Sequence, residues 1–267
     1  MTGEVGVLAS GCHIFSGCGF PAPGLQDFNW KPFFTIGSFA FTKPMLLAIV
    51  AALVVIVFFW AAFRRPQLVP RGVQNLGELA ILAVRDQILR PSLGRRGDSY
   101  LPLLVSLFFF IYIMNVMELI PILQFPVTSR IGFVWPLVFI VYFLYLYLGV
   151  KHQGPWGYLK NMIPPGVPWP IYFILVPVEL LRFFVFQPFT LGVRLFGNMF
   201  AGHLLLTIFT IASWYLLSLS VGLLYAVGSF ALAIFVFLLE TLVTLLQAFI
   251  FTTLTATYIA SSVEPAH

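Results

Sequence analysis

Charge is scarce in this sequence. Of 267 residues only 9% are Asp, Glu, Lys or Arg, against about 25% in an ordinary soluble domain. A surface so poor in charge cannot face water on every side, so a soluble globular protein is excluded and a polytopic membrane protein is expected. The net charge of +5 does not indicate a nucleic-acid partner, because most of the positive residues fall between apolar runs, where they encode topology. Cysteine is nearly absent. Cys12 and Cys18, with Gly17 and Gly19 flanking the second, precede the first long apolar run. They either close a small disulfide loop, which needs an oxidising extracytoplasmic side, or remain two thiols. Only His13 is adjacent, so no metal-site spacing accompanies them. Residues 1–40 lack the basic, apolar and small-residue regions of a cleavable signal peptide. Internal repeats and low-complexity tracts are missing too, so a single integral membrane domain over 1–267 is expected. No His-Glu-x-x-His zinc motif occurs and no Ser or Cys nucleophile arrangement, which argues against an intramembrane enzyme.

Apolar sequence is plentiful, at 60%, and its runs divide the chain. Residues 1–43 form an N-terminal segment. Residues 44–63 read as a first span, stopped by Arg64-Arg65-Pro66. Residues 73–90 mix Leu76, Leu79, Ala80 and Ala83 with Glu78, Arg85 and Asp86 at helical spacing, which predicts an amphipathic helix on the membrane surface, ended by Pro91. Spans follow at 101–123 and 133–150. The runs 170–219 and 221–260 are overlong: about 50 helical residues reach about 75 Å, in a hydrocarbon layer of about 30 Å. They must tilt strongly or bend at Pro177 and Pro188. The fold class is therefore all-α, with about five transmembrane helices, one surface amphipathic helix, and the last two spans as a long tilted antiparallel hairpin.

The segment 64–100 holds seven arginines and 151–166 adds Lys151 and Lys160, whereas 124–132 has only Arg130. Positive residues mark the cytoplasmic side. The N-terminus is thus expected outside, and the amphipathic helix and C-terminus at the cytoplasm.

Between Arg182 and Glu240 the only charged residue is Arg194. A guanidinium at membrane depth is costly, about 2.5–3.5 kcal/mol on insertion scales, and it cannot escape by deprotonating. Such a residue marks an ion pathway or a partner carboxylate. In an antiparallel hairpin turning near Val221-Gly222, Arg194 comes level with Gln247 and His203 with Glu240. Asn198 lies one turn from Arg194 on the same face, while His203 is half a turn out of phase. Two polar layers are expected: a fixed cation with amides, and a titratable His203–Glu240 pair suited to proton traffic. Asn115 and Glu118, near the end of the second span, extend the polar path. Plainer roles stay open: Arg194 bridging helices, Asn198 and Gln247 as interhelical hydrogen-bonders, a structural His203–Glu240 pair, Glu118 at the interface, Tyr258 as an interfacial anchor.

The run Arg194-Leu-Phe-Gly-Asn-Met-Phe-Ala-Gly202, followed by Leu246-Gln-Ala-Phe-Ile-Phe251, resembles subunit a of the bacterial F-type ATP synthase membrane sector (Fo). The order of parts is similar as well, including the Asn115-x-x-Glu118-x-x-Pro121 element. The resemblance implies a non-catalytic stator subunit of a rotary proton motor, without cofactor or metal, in the bacterial plasma (inner) membrane. Its implied partners are a ring of c subunits, the b or other peripheral-stalk subunits, the rest of the complex and the lipid bilayer. Protons are the transported ion. Arg194 would face the carboxylate of each c subunit, between two offset half-channels. Asn198, His203, Glu240, Gln247, Asn115 and Glu118 would serve proton translocation. One departure stands out: the family pattern has Glu after Ala-Gly and His seven residues before Gln, and here His203 and Glu240 are exchanged. The competing reading is an ion-coupled secondary transporter with a midplane polar site, against which stand the few spans and the lack of a repeat.

Overall fold

Among the described residues, five helices are long and apolar enough to cross a bilayer: Lys43–Phe63, Gly97–Val116, Ile131–Gln153, Ile171–Tyr215 and Gly222–Val263. They come from a computed structural model that describes residues 20, 23–24, 34–36, 39–120, 123–161, 169–217 and 221–263. The expected all-α membrane architecture is present. It is preceded by one small antiparallel pair that the sequence pattern does not predict, β1 (Phe34–Ile36) and β2 (Phe39–Phe41), with Phe34 opposite Phe41. Cys12, Cys18, Pro121 and the proline-rich 164–168 lie outside the described residues.

The first span is α1 (Lys43–Phe63). Pro44 sits in its first turn, where a missing N–H is harmless, and the Thr42 carbonyl accepts from Met45 N and Leu46 N. Beyond the Arg64-Arg65-Pro66 stop, Gly72 turns the chain with φ 59° into α2 (Val73–Val84). This helix exposes Leu76 and Leu79 and buries Gln74 and Gly77, as a helix lying at an interface should.

Pro91 does not end the amphipathic element. A π-helical turn, Arg85–Leu89, leads into α3 (Arg90–Leu93), with Arg90 N bonding the Arg85 carbonyl. The same device recurs in the fourth span. Here α7 (Trp169–Leu181) passes through a π turn, Arg182–Phe186, into α8 (Gln187–Tyr215), with Gln187 N on the Arg182 carbonyl. In both places a proline, Pro91 or Pro188, is the second residue after the turn. Proline cannot donate to the carbonyl four residues back and its ring crowds that carbonyl. An i→i+5 bond just before it re-spaces the ladder and lets the helix continue.

The remaining elements are a 3₁₀ stretch Gly94–Tyr100, α4 (Leu101–Val116), a 3₁₀ turn Val127–Ser129, α5 (Ile131–Gln153), α6 (Pro155–Asn161) and α9 (Val221–Val263). The second span therefore stops at Val116, short of the expected 123. Buried positions along α9 recur every three or four residues, from Ala226, Ser229 and Ala233 through Glu240, Thr244 and Gln247 to Thr255, Ile259 and Ser262. Its outward faces carry Leu, Phe and Val. That is the reverse of a soluble amphipathic helix and suits a lipid surround. Hydroxyls close on the preceding turn, as in Thr252 to the Ala248 carbonyl and Thr255 to the Phe251 carbonyl, so they need no water.

The chain separates into two compact units. The first comprises residues 1–51, 114–130 and 197–245. Within it Ser229 Oγ donates to the Phe209 carbonyl at 3.0 Å, and Met114, Met117, Phe125, Val127, Met199 and Val236 are buried. The second comprises 52–113, 131–196 and 246–267. Its core gathers Val84, Ile88, Leu89 and Leu93 with Leu104, Val105, Leu148, Ala256 and Ile259.

Candidate functional site

In the first unit, polar side chains converge where α4 ends. The helical ladder stops at Val116. A tight turn replaces it, with Glu118 N on the Asn115 carbonyl at 3.1 Å and Leu119 N on the Val116 carbonyl at 2.9 Å. Asn115 and Glu118 are both buried in consequence, at 0% and 3% exposure. The chain returns through Gln124, whose φ of 40° is uncommon for a residue with a side chain. It then enters the buried turn Val127–Ser129, where Thr128 Oγ1 donates to Asn115 Oδ1.

One residue of α8, His203, meets the end of α4 and the segment after it. His203 Nδ1 lies 3.1 Å from Glu118 Oε1, and the Phe125 ring stands edge-on to the imidazole with centroids 6.1 Å apart. Gly202 is the seat of Glu240. A Cβ at Gly202 would overlap Cδ, Oε1 and Oε2 of that carboxylate, so the missing side chain is the notch that receives it. Depth alone makes Glu240 the expected partner of His203, but the hydrogen bond found for His203 runs to Glu118. Rotation explains this. Glu240 meets α8 at Gly202, about 100° around the helix from His203, and the imidazole turns toward the end of α4. Asn115 Nδ2, Glu118 Oε2 and Glu240 Oε1 are buried with no hydrogen-bond partner among the described residues. Asn198 is exposed on α8.

In the second unit, Arg194 is exposed on α8. Arg85, Arg90 and Arg182 each pair with an acid, whereas no ion pair of Arg194 occurs among the described residues. Tyr258 is half-buried and packs against Tyr145, ring centroids 5.6 Å apart. Tyr145 is 1% exposed and its hydroxyl has no hydrogen-bond partner among the described residues. Gln247 is buried at 2% exposure.

A family model described as ATP synthase A chain matches residues 45–260. The chain belongs to the ATP synthase A chain family. The ATP synthase subunit a of Streptomyces lividans is 43% identical over 270 residues, covering 99% of this chain and 95% of that protein. Those of Frankia alni and Rhodococcus erythropolis are each 40% identical, covering 91% and 90% of this chain and 86% and 89% of theirs. The family match takes in every candidate residue from Asn115 to Gln247 and leaves out Cys12 and Cys18.

Within that family frame, the structure adds residues that the sequence reading passes over. Thr128 holds Asn115, and Gly202 seats Glu240. For Gly202 a signal was present: a glycine beside a histidine, on one of two helices whose other member carries a lone buried acid.

Proposed function

We propose that this chain is the proton-translocating stator subunit of a rotary F-type ATP synthase. It supplies two offset half-channels to a ring of c subunits and holds Arg194 at the boundary between them. The observation that carries this is Arg194 itself. It is a permanent cation and the one Asp, Glu, Lys or Arg of α8, exposed and without an ion pair among the described residues. A charge left open in this way is suited to a carboxylate brought by a partner, which it would favour in the ionised form. It also blocks protons from running straight past. Asn198, one turn further along α8, offers an amide on the same face.

The buried Asn115, Glu118 and Glu240, with the half-buried His203, would form the entry path. An acid and an imidazole at hydrogen-bond distance can exchange a proton. Buried polar atoms without a protein partner are commonly met by water, and among the described residues Asn115 Nδ2, Glu118 Oε2 and Glu240 Oε1 are three such atoms. Gln247 supplies a buried amide on α9. The subunit itself is non-catalytic and works with the ring, the peripheral-stalk subunits and the catalytic head. Its place is the bacterial plasma membrane, with the N-terminus outside and the C-terminus cytoplasmic, as the arginine-rich 64–100 segment favours.

The test is Arg194→Ala in inverted membrane vesicles, with assembly checked by co-purification of ring and head. The expected result is an assembled complex whose ATP hydrolysis no longer acidifies the vesicles. Near-normal acidification would make Arg194 structural and remove the main support of this reading.

A further inference from the structure

An anion site needs positive charge that the protein has not already neutralised, room for the anion and a reason for the charges to stay in place. These coincide where α1 meets α2, in the second unit. Arg64, Arg65 and Arg71 are exposed and form no ion pair among the described residues, unlike Arg85 and Arg90, which share Asp86. With Gln67 and Gln74 they line a cavity of about 610 Å³ floored by Ala61, Ala62 and Val73. The two helices cross tightly below it, since a Cβ at Gly77 would stand 2.7 Å from Ala62 Cβ.

The loop is braced from within. Gln74, 8% exposed, accepts from Gln67 N at 2.9 Å and donates to the Gln67 carbonyl at 2.9 Å. The same amide donates to Glu78 Oε1 at 2.8 Å, so the nearby carboxylate is occupied by a neutral group. Arg64 lies over the Trp60 ring, 4.9 Å from its centroid. Beside the arginines, Leu68 and Val69 are fully and largely exposed, and Trp60 is 59% exposed. Exposed apolar and indole side chains at the end of a membrane span belong at the boundary between acyl chains and headgroups.

We propose that this cleft binds the phosphodiester headgroup of an anionic phospholipid. The guanidinium forks of Arg64, Arg65 and Arg71 take the phosphate oxygens, and Trp60, Leu68 and Val69 meet the glycerol and upper acyl chains. A free phosphate would use the arginines but gain nothing from the apolar rim, and the rim is what selects lipid here.

The full-length chain, purified from membranes in mild detergent with the subunits it carries, is titrated with phosphatidylglycerol. Phosphatidylcholine serves as the control lipid and inorganic phosphate as competitor, with bound lipid counted by mass spectrometry. Each arginine near an anionic headgroup contributes roughly fivefold in affinity, so the triple variant Arg64→Gln, Arg65→Gln, Arg71→Gln should bind phosphatidylglycerol roughly a hundredfold more weakly. Arg71→Gln alone, which leaves α1 intact, should lose roughly fivefold and covers the case in which the triple variant fails to assemble. Phosphatidylcholine binding should not change. Equal phosphatidylglycerol binding by wild type and the variants overturns the site. Displacement by inorganic phosphate at matched concentration overturns the lipid assignment. Proton pumping is not the readout, so failure here leaves the proposal for Arg194 untouched, and the reverse.

Discussion

Adding one methyl group at Gly202 should dislodge the Glu240 carboxylate. A Cβ there overlaps Cδ and both oxygens of Glu240. To regain ordinary contact at about 3.5 Å, the carboxylate must retreat by more than about 1 Å. Glu240 is 2% exposed, so it retreats into packed side chains, and overpacking of this kind costs about 1–3 kcal/mol. Displacing a reacting group by about 1 Å can cost up to a hundredfold in rate. The expected result for Gly202→Ala is an assembled complex with a lower thermal midpoint and at least about tenfold slower ATP-driven acidification in inverted vesicles. Glu240→Asp shortens the side chain by about 1.5 Å and vacates the space the new methyl needs. The double variant Gly202→Ala, Glu240→Asp should therefore be more stable than the sum of the two single losses predicts, with a coupling of about 1 kcal/mol. If the losses in stability simply add, the carboxylate does not sit over Gly202. If Gly202→Ala pumps at the wild-type rate, its position does not matter to proton flow.

The His203–Glu118 contact predicts a second non-additive pair. Glu118→Ala and His203→Ala should each slow pumping, and the double variant should be no slower than the worse single, because groups acting as a unit are lost together; multiplying losses would refute a shared step. A third prediction concerns the Tyr158 hydroxyl, which meets Ser262 Oγ at 3.0 Å while Ser262 donates to the Tyr258 carbonyl. Burial pushes this hydroxyl above its usual value, with the Ser262 bond pulling the other way and Tyr142 adding to the rise. Above about pH 10 the unfolded chain releases its tyrosine proton first, so Tyr158 then stabilises less as pH rises. Tyr158→Phe should be about 1 kcal/mol less stable at neutral pH, a gap that narrows above about pH 10 in thermal unfolding; a gap that ignores pH would place the hydroxyl in water.

The spans were legible because apolar run length decides them, and Arg194 because nothing else between Arg182 and Glu240 is charged. The level pairing of α8 with α9 was legible in outline too, since Glu240 does meet α8 beside His203. Which way each side chain turns was not. His203 finds Glu118 across 85 residues of sequence, and that meeting depends on α4 stopping at Val116 and the chain doubling back to Thr128. No periodicity records such a turn. Pro91 was misread as a helix end for a related reason. Its local chemistry says break, and the π-helical turn placed just before it removes the conflict without leaving a hydrophobic pattern to read.

Those π turns also make chain length a determinant of direction. Each holds one residue more than an α-helical turn accommodates, so every side chain downstream is rotated by about 100° relative to an unbroken helix. Downstream of Arg182–Phe186 lies Arg194. The azimuth of its guanidinium is thus set partly by a residue count made two turns earlier, among side chains that never approach it. Deleting one residue within 182–186 would turn the π turn into a plain helical turn and leave Arg194 on the same face, whereas deleting one between 187 and 193 would swing it by about 100°.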